Sequence, residues 1–229
     1  MIRILSGAGR YADPWHPFLV TTAGIASVAA ELDLDHEAAD VTPDTLGDLD
    51  GVDVLVVNVG GGGPDPDLSP DRAWSEAFAT AEAWLRMGGA MLATHQATNG
   101  FPDWPGYRSL LGGEWVPGTS NHPAISDAVF TARPGAEADP LLAGLPGAPQ
   151  APRVEAWDER YSHLVMSPEA QVLLEHELDG QAQPVVWRSG ADGVRILVDA
   201  LGHGPESYES PSRRQLLANE LLELSAPVN

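Results

Sequence analysis

The chain contains seven histidines, no cysteine and no lysine. Thiol nucleophiles, thiolate metal sites, Schiff-base lysines and phosphate-loop lysines are therefore excluded, and chemistry falls to histidines and carboxylates. His95 stands out in Ala93-Thr94-His95-Gln96-Ala97. It follows an apolar run and has small residues two positions to either side. That pattern suits a tight turn after a strand, which pushes one side chain into a site. An imidazole there can act as base, acid or metal ligand; hydrogen bonding to loop backbone is the plainer alternative. His203 also ends a strand pattern, and Glu206 lies three residues on, where it is expected to orient the ring and raise its basicity. His122, in Asn121-His122-Pro123, and Glu159, in Asp158-Glu159-Arg160-Tyr161, complete the candidates. His95, His122 and His203 with a carboxylate would suit a divalent metal such as zinc, although no pair shares a ligand spacing like HExxH. No other cofactor is expected. His16, before Pro17, reads as a helix-entry residue close to the same rim.

Aromatic faces stack on sugar rings, and amides, carboxylates and phenols bind hydroxyls. Trp104 and Tyr107 are the expected stacking residues, with Asn121, Asp158 and Tyr161 as hydroxyl partners; Trp115 and Trp157 are further loop aromatics. Packing into a local core is the competing reading for each aromatic.

These residues need a scaffold that gathers strand ends. Ile2–Ser6, Val52–Val59, Ala90–Thr94 and Val194–Val198 read as buried strands, with a weaker one near Asp35–Ala39. Helices are predicted from Pro17 to about Leu32, Pro70 to about Met87 and Ser212 to about Leu224. Strand–helix alternation argues for a parallel sheet whose ligands bind beyond the strands' carboxyl ends. Residues 99–183 read as irregular and proline-rich, with short strands at Ala128–Ala132 and Gln171–Glu177, before Pro184–Trp187 and Val194–Val198 form a hairpin. No linker divides the chain, so one α/β domain over residues 1–229 is expected. Gly7-Ala8-Gly9-Arg10-Tyr11-Ala12 matches a dinucleotide fingerprint in letters, but Pro14 and Pro17 keep a helix from starting at once. Gly60–Gly63 lacks the Gly-Lys-Ser/Thr of a phosphate loop.

A formal charge of −21 opposes nucleic-acid binding. No apolar run is long enough to span a membrane, and the N-terminus begins directly on a strand pattern, so a cytoplasmic protein is expected. The oligomeric state stays open between monomer and homodimer.

Taken in order, several segments resemble the trehalose-utilisation (ThuA-like) family: Gly88-Gly89-Ala90-Met91-Leu92-Ala93-Thr94-His95, Trp104-Pro105-x-Tyr107-x-x-Leu110-Leu111-Gly112-Gly113, His122-Pro123, Asp158-Glu159-x-Tyr161, Pro184-Val185-Val186-Trp187 and Leu201-Gly202-His203. The resemblance implies a flavodoxin-like three-layer α/β sandwich with a mainly parallel sheet, of the class I glutamine amidotransferase-like superfamily. In that superfamily a cysteine occupies the elbow where His95 stands here, so amide hydrolysis through a thioester is ruled out. It further implies a role in the metabolism of trehalose or related disaccharides and keto-sugars. The expected function is histidine-based acid/base or metal-assisted chemistry on a small sugar, by His95, His203, Glu206 and Glu159. A non-catalytic sugar-binding or regulatory protein on the same scaffold is the alternative.

Overall fold

The computed structural model describes residues 1–227. Apolar, β-branched segments alternate with helices through the first hundred residues. They give β1 (Ile2–Ser6), α1 (Phe18–Glu31), β2 (His36–Asp40), α2 (Pro43–Gly47), β3 (Val54–Asn58), α3 (Arg72–Arg86) and β4 (Ala90–Thr94). The middle of the chain supplies α4 (Tyr107–Leu111), β5 (Gly113–Glu114), β6 (Ser126–Ala132), β7 (Arg153–Asp158), β8 (Val165–Met166) and β9 (Gln171–Leu178). The chain then returns through β10 (Gln181–Arg188), β11 (Arg195–Asp199) and α5 (Pro211–Ser225).

Nine strands form one sheet in the order β2-β1-β3-β4-β11-β10-β9-β6-β7, and β5 pairs separately with β8. From β2 to β11 every pairing is parallel; from β11 to β7 every pairing is antiparallel. The expectation of a mainly parallel sheet is thus corrected to a mixed one. The cause is local. Parallel neighbours need a crossover, whereas β9 and β10 are joined by Asp179-Gly180, both at positive φ (53° and 75°), a two-residue hairpin turn. Pro184 does not interrupt β10. It sits at a register shift, where the missing N–H is tolerated.

Every position of β3 and β4 is buried, so both faces of the parallel half are covered. α1 and α5 pack against each other and against β3. α3 turns Trp74, Ala77, Phe78, Ala81 and Leu85 inward. Its start is fixed by Asp71, whose carboxylate accepts from the Ala73 N–H at 2.8 Å, so the helix begins at Arg72, two residues after the expected Pro70. Arg188 joins the middle of the chain to α5 through Asp139 and Glu223 at 2.7–2.9 Å. Among the described residues no helix is long and apolar enough to cross a membrane.

A sealed polar cluster lies at the end of β11. Arg213, Asp199 and Glu220 are each fully buried, with Arg213 Nη2 2.7 Å from Asp199 Oδ2 and Nη1 4.0 Å from Glu220 Oε2. The Arg213 guanidinium also lies 5.4 Å from the Tyr208 ring centroid.

Candidate functional site

β1, β4 and β11 run parallel, so the loops leaving their carboxyl ends meet on one side of the sheet. His95 is the first residue after β4 and has φ 44°, a conformation that costs a side-chain-bearing residue about 1–3 kcal/mol. Buried Ala93 and Ala97 flank it, as an elbow requires. A short 3₁₀ turn over His95–Asn99 follows instead of a long helix. His95 Nδ1 lies 2.9 Å from the Ala200 carbonyl. A carbonyl only accepts, so Nδ1 donates to it and Nε2 is left to face Tyr161 and Glu159. The Tyr161 hydroxyl is 3.0 Å from that Nε2 and donates to Gln96 Oε1 at 2.8 Å. Burial, aided by the Glu159 charge, pushes the Tyr161 phenol well above its ordinary pKa and keeps it a donor.

His16 comes from the loop after β1. Its Nδ1 lies 2.7 and 2.9 Å from the two carboxylate oxygens of Asp13, which leaves Nε2 as the free nitrogen. Asp13 also accepts from the backbone N–H groups of Trp15 and His16, at 2.9 and 3.0 Å. A Cβ at position 60 would stand 2.5 Å from Asp13 Oδ2, so the close approach needs Gly60. Burial lowers the His16 pKa, and Asp13 only partly opposes this.

His203 follows β11. The Asp158 carboxylate accepts from the N–H groups of Gly202 and His203 at 2.8 and 3.1 Å and from the Ser207 hydroxyl at 2.6 Å. This clasp joins the end of β7 to the loop after β11, although β7 is the far edge strand. It also delivers the next residue, Glu159, to the histidines. Glu159 Oε2 lies 3.3 Å from His203 Nδ1 and 3.6 Å from His95 Nε2. His203 Nδ1 is itself buried without a hydrogen-bonding partner. Burial alone would push the Glu159 carboxyl up, but His203 and His95 together hold it well below the usual carboxylate range. Reciprocally, Glu159 raises the pKa of His203.

One ligating atom from each of His16, His95, Glu159 and His203 lies within 4.8 Å of the others. Above them opens a cavity of about 520 Å³, walled further by Trp15, Gln96, Asn99, Trp115, His122 and Tyr161. Three imidazoles and a carboxylate form a donor set suited to zinc and similar ions. Nδ1–H groups held by a carbonyl and a carboxylate are the arrangement that orients ligating histidines. The same groups can transfer protons.

The structure therefore brings His95, His203, Glu159 and Tyr161 together. His122 stands at the cavity edge, its Nδ1 3.6 Å from Glu159 Oε1, and His16 takes the place in the four-group cluster expected of it. Glu206 is exposed, and Glu159 is the carboxylate that faces His203 Nδ1. Asp158 is fully buried, with both oxygens occupied by the clasp. Trp104 and Tyr107 pack in the core, Trp104 stacked on Phe78 at 5.0 Å. Asn121 is exposed and bridges Ser162 through its backbone. Sequence reasoning missed Asp13 and undervalued His16. The available signals were the Asp13-x-x-His16 spacing and a position just past a parallel strand.

Comparison with known proteins bears on family and fold. The ThuA family model, described as trehalose utilisation, matches residues 16–222. A ThuA-like protein of Parabacteroides merdae is 16% identical over 100% of this chain and 90% of its own, with a TM-score of 0.75. One from Bacteroides uniformis is 18% identical over 97% and 90%, with a TM-score of 0.69. The glutaminase domain of CTPS from Trypanosoma brucei is 9% identical over 99% and 95%, with a TM-score of 0.53. Identities this low show a shared fold alone. No curated protein matches the sequence. Because the family model matches residues 16–222, most of the chain, the chain belongs to ThuA, the trehalose-utilisation family.

Proposed function

We propose that the protein is a metal-assisted enzyme of carbohydrate metabolism, acting on trehalose, a related disaccharide or a keto derivative. We also read the helix-covered parallel half as flavodoxin-like, and the protein as cytoplasmic. The observation that carries the functional reading is the convergence of His16, His95, Glu159 and His203 within 4.8 Å, with Glu159 Oε2 3.3 Å from His203 Nδ1. A divalent ion held by these four groups would polarise a sugar carbonyl or acidify a bound water.

The rest of the cavity supplies binding and proton handling. Asn99 and Gln96 offer amide donors and acceptors to hydroxyls. Tyr161 has one proton to give, and its choice between Gln96 and His95 Nε2 depends on whether that nitrogen is in use. His122, outside the four-group cluster but lining the cavity, is the imidazole left to exchange a proton with substrate.

The test is elemental analysis of the purified protein before and after zinc or manganese reconstitution, with turnover of trehalose and its keto derivatives followed in His95→Ala and His203→Ala. About one ion per chain is expected, with turnover reduced by roughly 10²–10⁴-fold in both variants. Full turnover in both would overturn the reading. Loss of turnover with no ion bound under any condition would transfer the chemistry to the histidines themselves. His203, raised by Glu159, would then be the acid, and His16, lowered by burial, the base.

A further inference from the structure

The four-group cluster accounts for one wall of the cavity and leaves another unexplained. Trp15 lines the cavity yet is 57% exposed, an unusual position for a side chain that would bury 150–250 Å² elsewhere. It is not loosely placed. The Asp13 carboxylate oxygen that accepts the Trp15 backbone N–H at 2.9 Å also contacts His16 Nδ1 at 2.7 Å. One buried carboxylate therefore fixes the tryptophan relative to the histidine cluster. Trp115, half-buried, forms an inner aromatic wall, with its ring 4.5 Å from that of Tyr161. The cavity thus has an inner aromatic face beside the reacting groups and an outer one open to solvent.

The charge of the cavity narrows what this outer face can take. The sequence has no lysine, and no arginine lines the cavity among the described residues. Glu159 and Asp13 are the acidic groups at its base, and the chain carries −21 overall. A phosphate on the ligand would find no ammonium or guanidinium fork to bind it, on a chain whose net charge disfavours anions at long range.

We propose that Trp15 is the platform of an outer subsite, which stacks an uncharged second sugar ring while the first ring occupies the histidine-lined interior. The subsite makes the protein selective for an unphosphorylated disaccharide over a monosaccharide. This rests on the carbohydrate reading above, and the experiment separates the two. Calorimetric titration of the full-length protein with trehalose, glucose and trehalose 6-phosphate gives three affinities, repeated in Trp15→Ala and Trp15→Phe. Truncating so exposed a side chain should leave the melting temperature nearly unchanged. In Trp15→Ala, trehalose binding is expected to weaken about tenfold and glucose binding less than twofold, with Trp15→Phe close to wild type. Trehalose 6-phosphate is expected to bind the wild type more weakly than trehalose. Equal losses for trehalose and glucose, no loss for either, or tighter binding of the phosphate ester would overturn the subsite while leaving the carbohydrate reading intact. Failure of the wild type to bind any of the three sugars, or the keto derivative of trehalose titrated beside them, would overturn both.

Discussion

Two groups of buried ionisable side chains flank the end of β11, and they are built on opposite logic. Arg213, Asp199 and Glu220 are sealed, each at 0% exposure, and face one another and the Tyr208 ring rather than solvent. His16, His95, Glu159 and His203 lie beside a cavity, with nitrogen lone pairs and a carboxylate oxygen aimed at a common point. The first group is closed to any ligand, whereas the second opens to one. That difference assigns the sealed cluster to the fold and the open cluster to function, even though Asp199 and His203 are only four residues apart. The largest expected effect tests the sealed side. Arg213→Met leaves the Asp199 carboxylate buried without its cation and should destabilise the protein by about 3–5 kcal/mol. Urea unfolding would measure this, and a loss under 1 kcal/mol would dissolve the contrast.

The open side should respond in the reverse sense, through function before stability. Asp13 touches the cluster only by holding His16 Nδ1 and the Trp15 and His16 amides. Asp13→Asn keeps the size of the side chain but replaces the acceptor that fixes the His16 tautomer. Loss of such an orienting carboxylate typically weakens metal affinity about 10–100-fold. Competition with a chelator would read this directly. An unchanged affinity would remove His16 from the ligand set and reduce the open cluster to two histidines and Glu159.

The contrast also explains how far the sequence could be read. β4 and the turn at His95 were legible because apolar and small residues sit at fixed positions around one histidine, all within nine residues of chain. His203 was legible for the same reason. Glu206 was the wrong partner for it because proximity in sequence stood in for proximity in space. The true partner, Glu159, arrives from β7 by way of the Asp158 clasp, a contact 45 residues away that no local pattern encodes. Trp104 and Tyr107 were misplaced for a related reason: a loop aromatic and a core aromatic look alike until the position of α3 is known. In the antiparallel half β6, β9 and the β10–β11 hairpin were legible, whereas β7 and the β9–β10 hairpin were not, although Asp179-Gly180 was a turn signal in plain view. Arg213 and Glu220 read as ordinary charges on an amphipathic helix, since nothing local shows that α5 buries both.

The smallest expected effect is a change of slope, and it probes whether the sealed cluster holds a proton. Burial, followed by the neighbouring Asp199 carboxylate, pushes the Glu220 pKa well above its ordinary value. Asp199 is also raised by burial, opposed by Arg213. These directions predict that the proton resides on Glu220, with Arg213 balancing the single negative charge that remains. For an acid whose pKa is higher folded than unfolded, the native state binds more protons, so stability falls as pH rises between the two values. The Glu220 contribution is complete below the unfolded carboxyl range, near pH 4.3, and declines progressively as pH rises above it toward the raised native value. Glu220→Gln keeps the shape and a donor but cannot ionise. The difference in unfolding free energy between Glu220→Gln and wild type, in which the other acidic groups cancel, should therefore grow in favour of the variant from pH 5 to pH 8. A difference that is flat across that range would show that Glu220 is already ionised in the native protein, and that Arg213 faces two carboxylates.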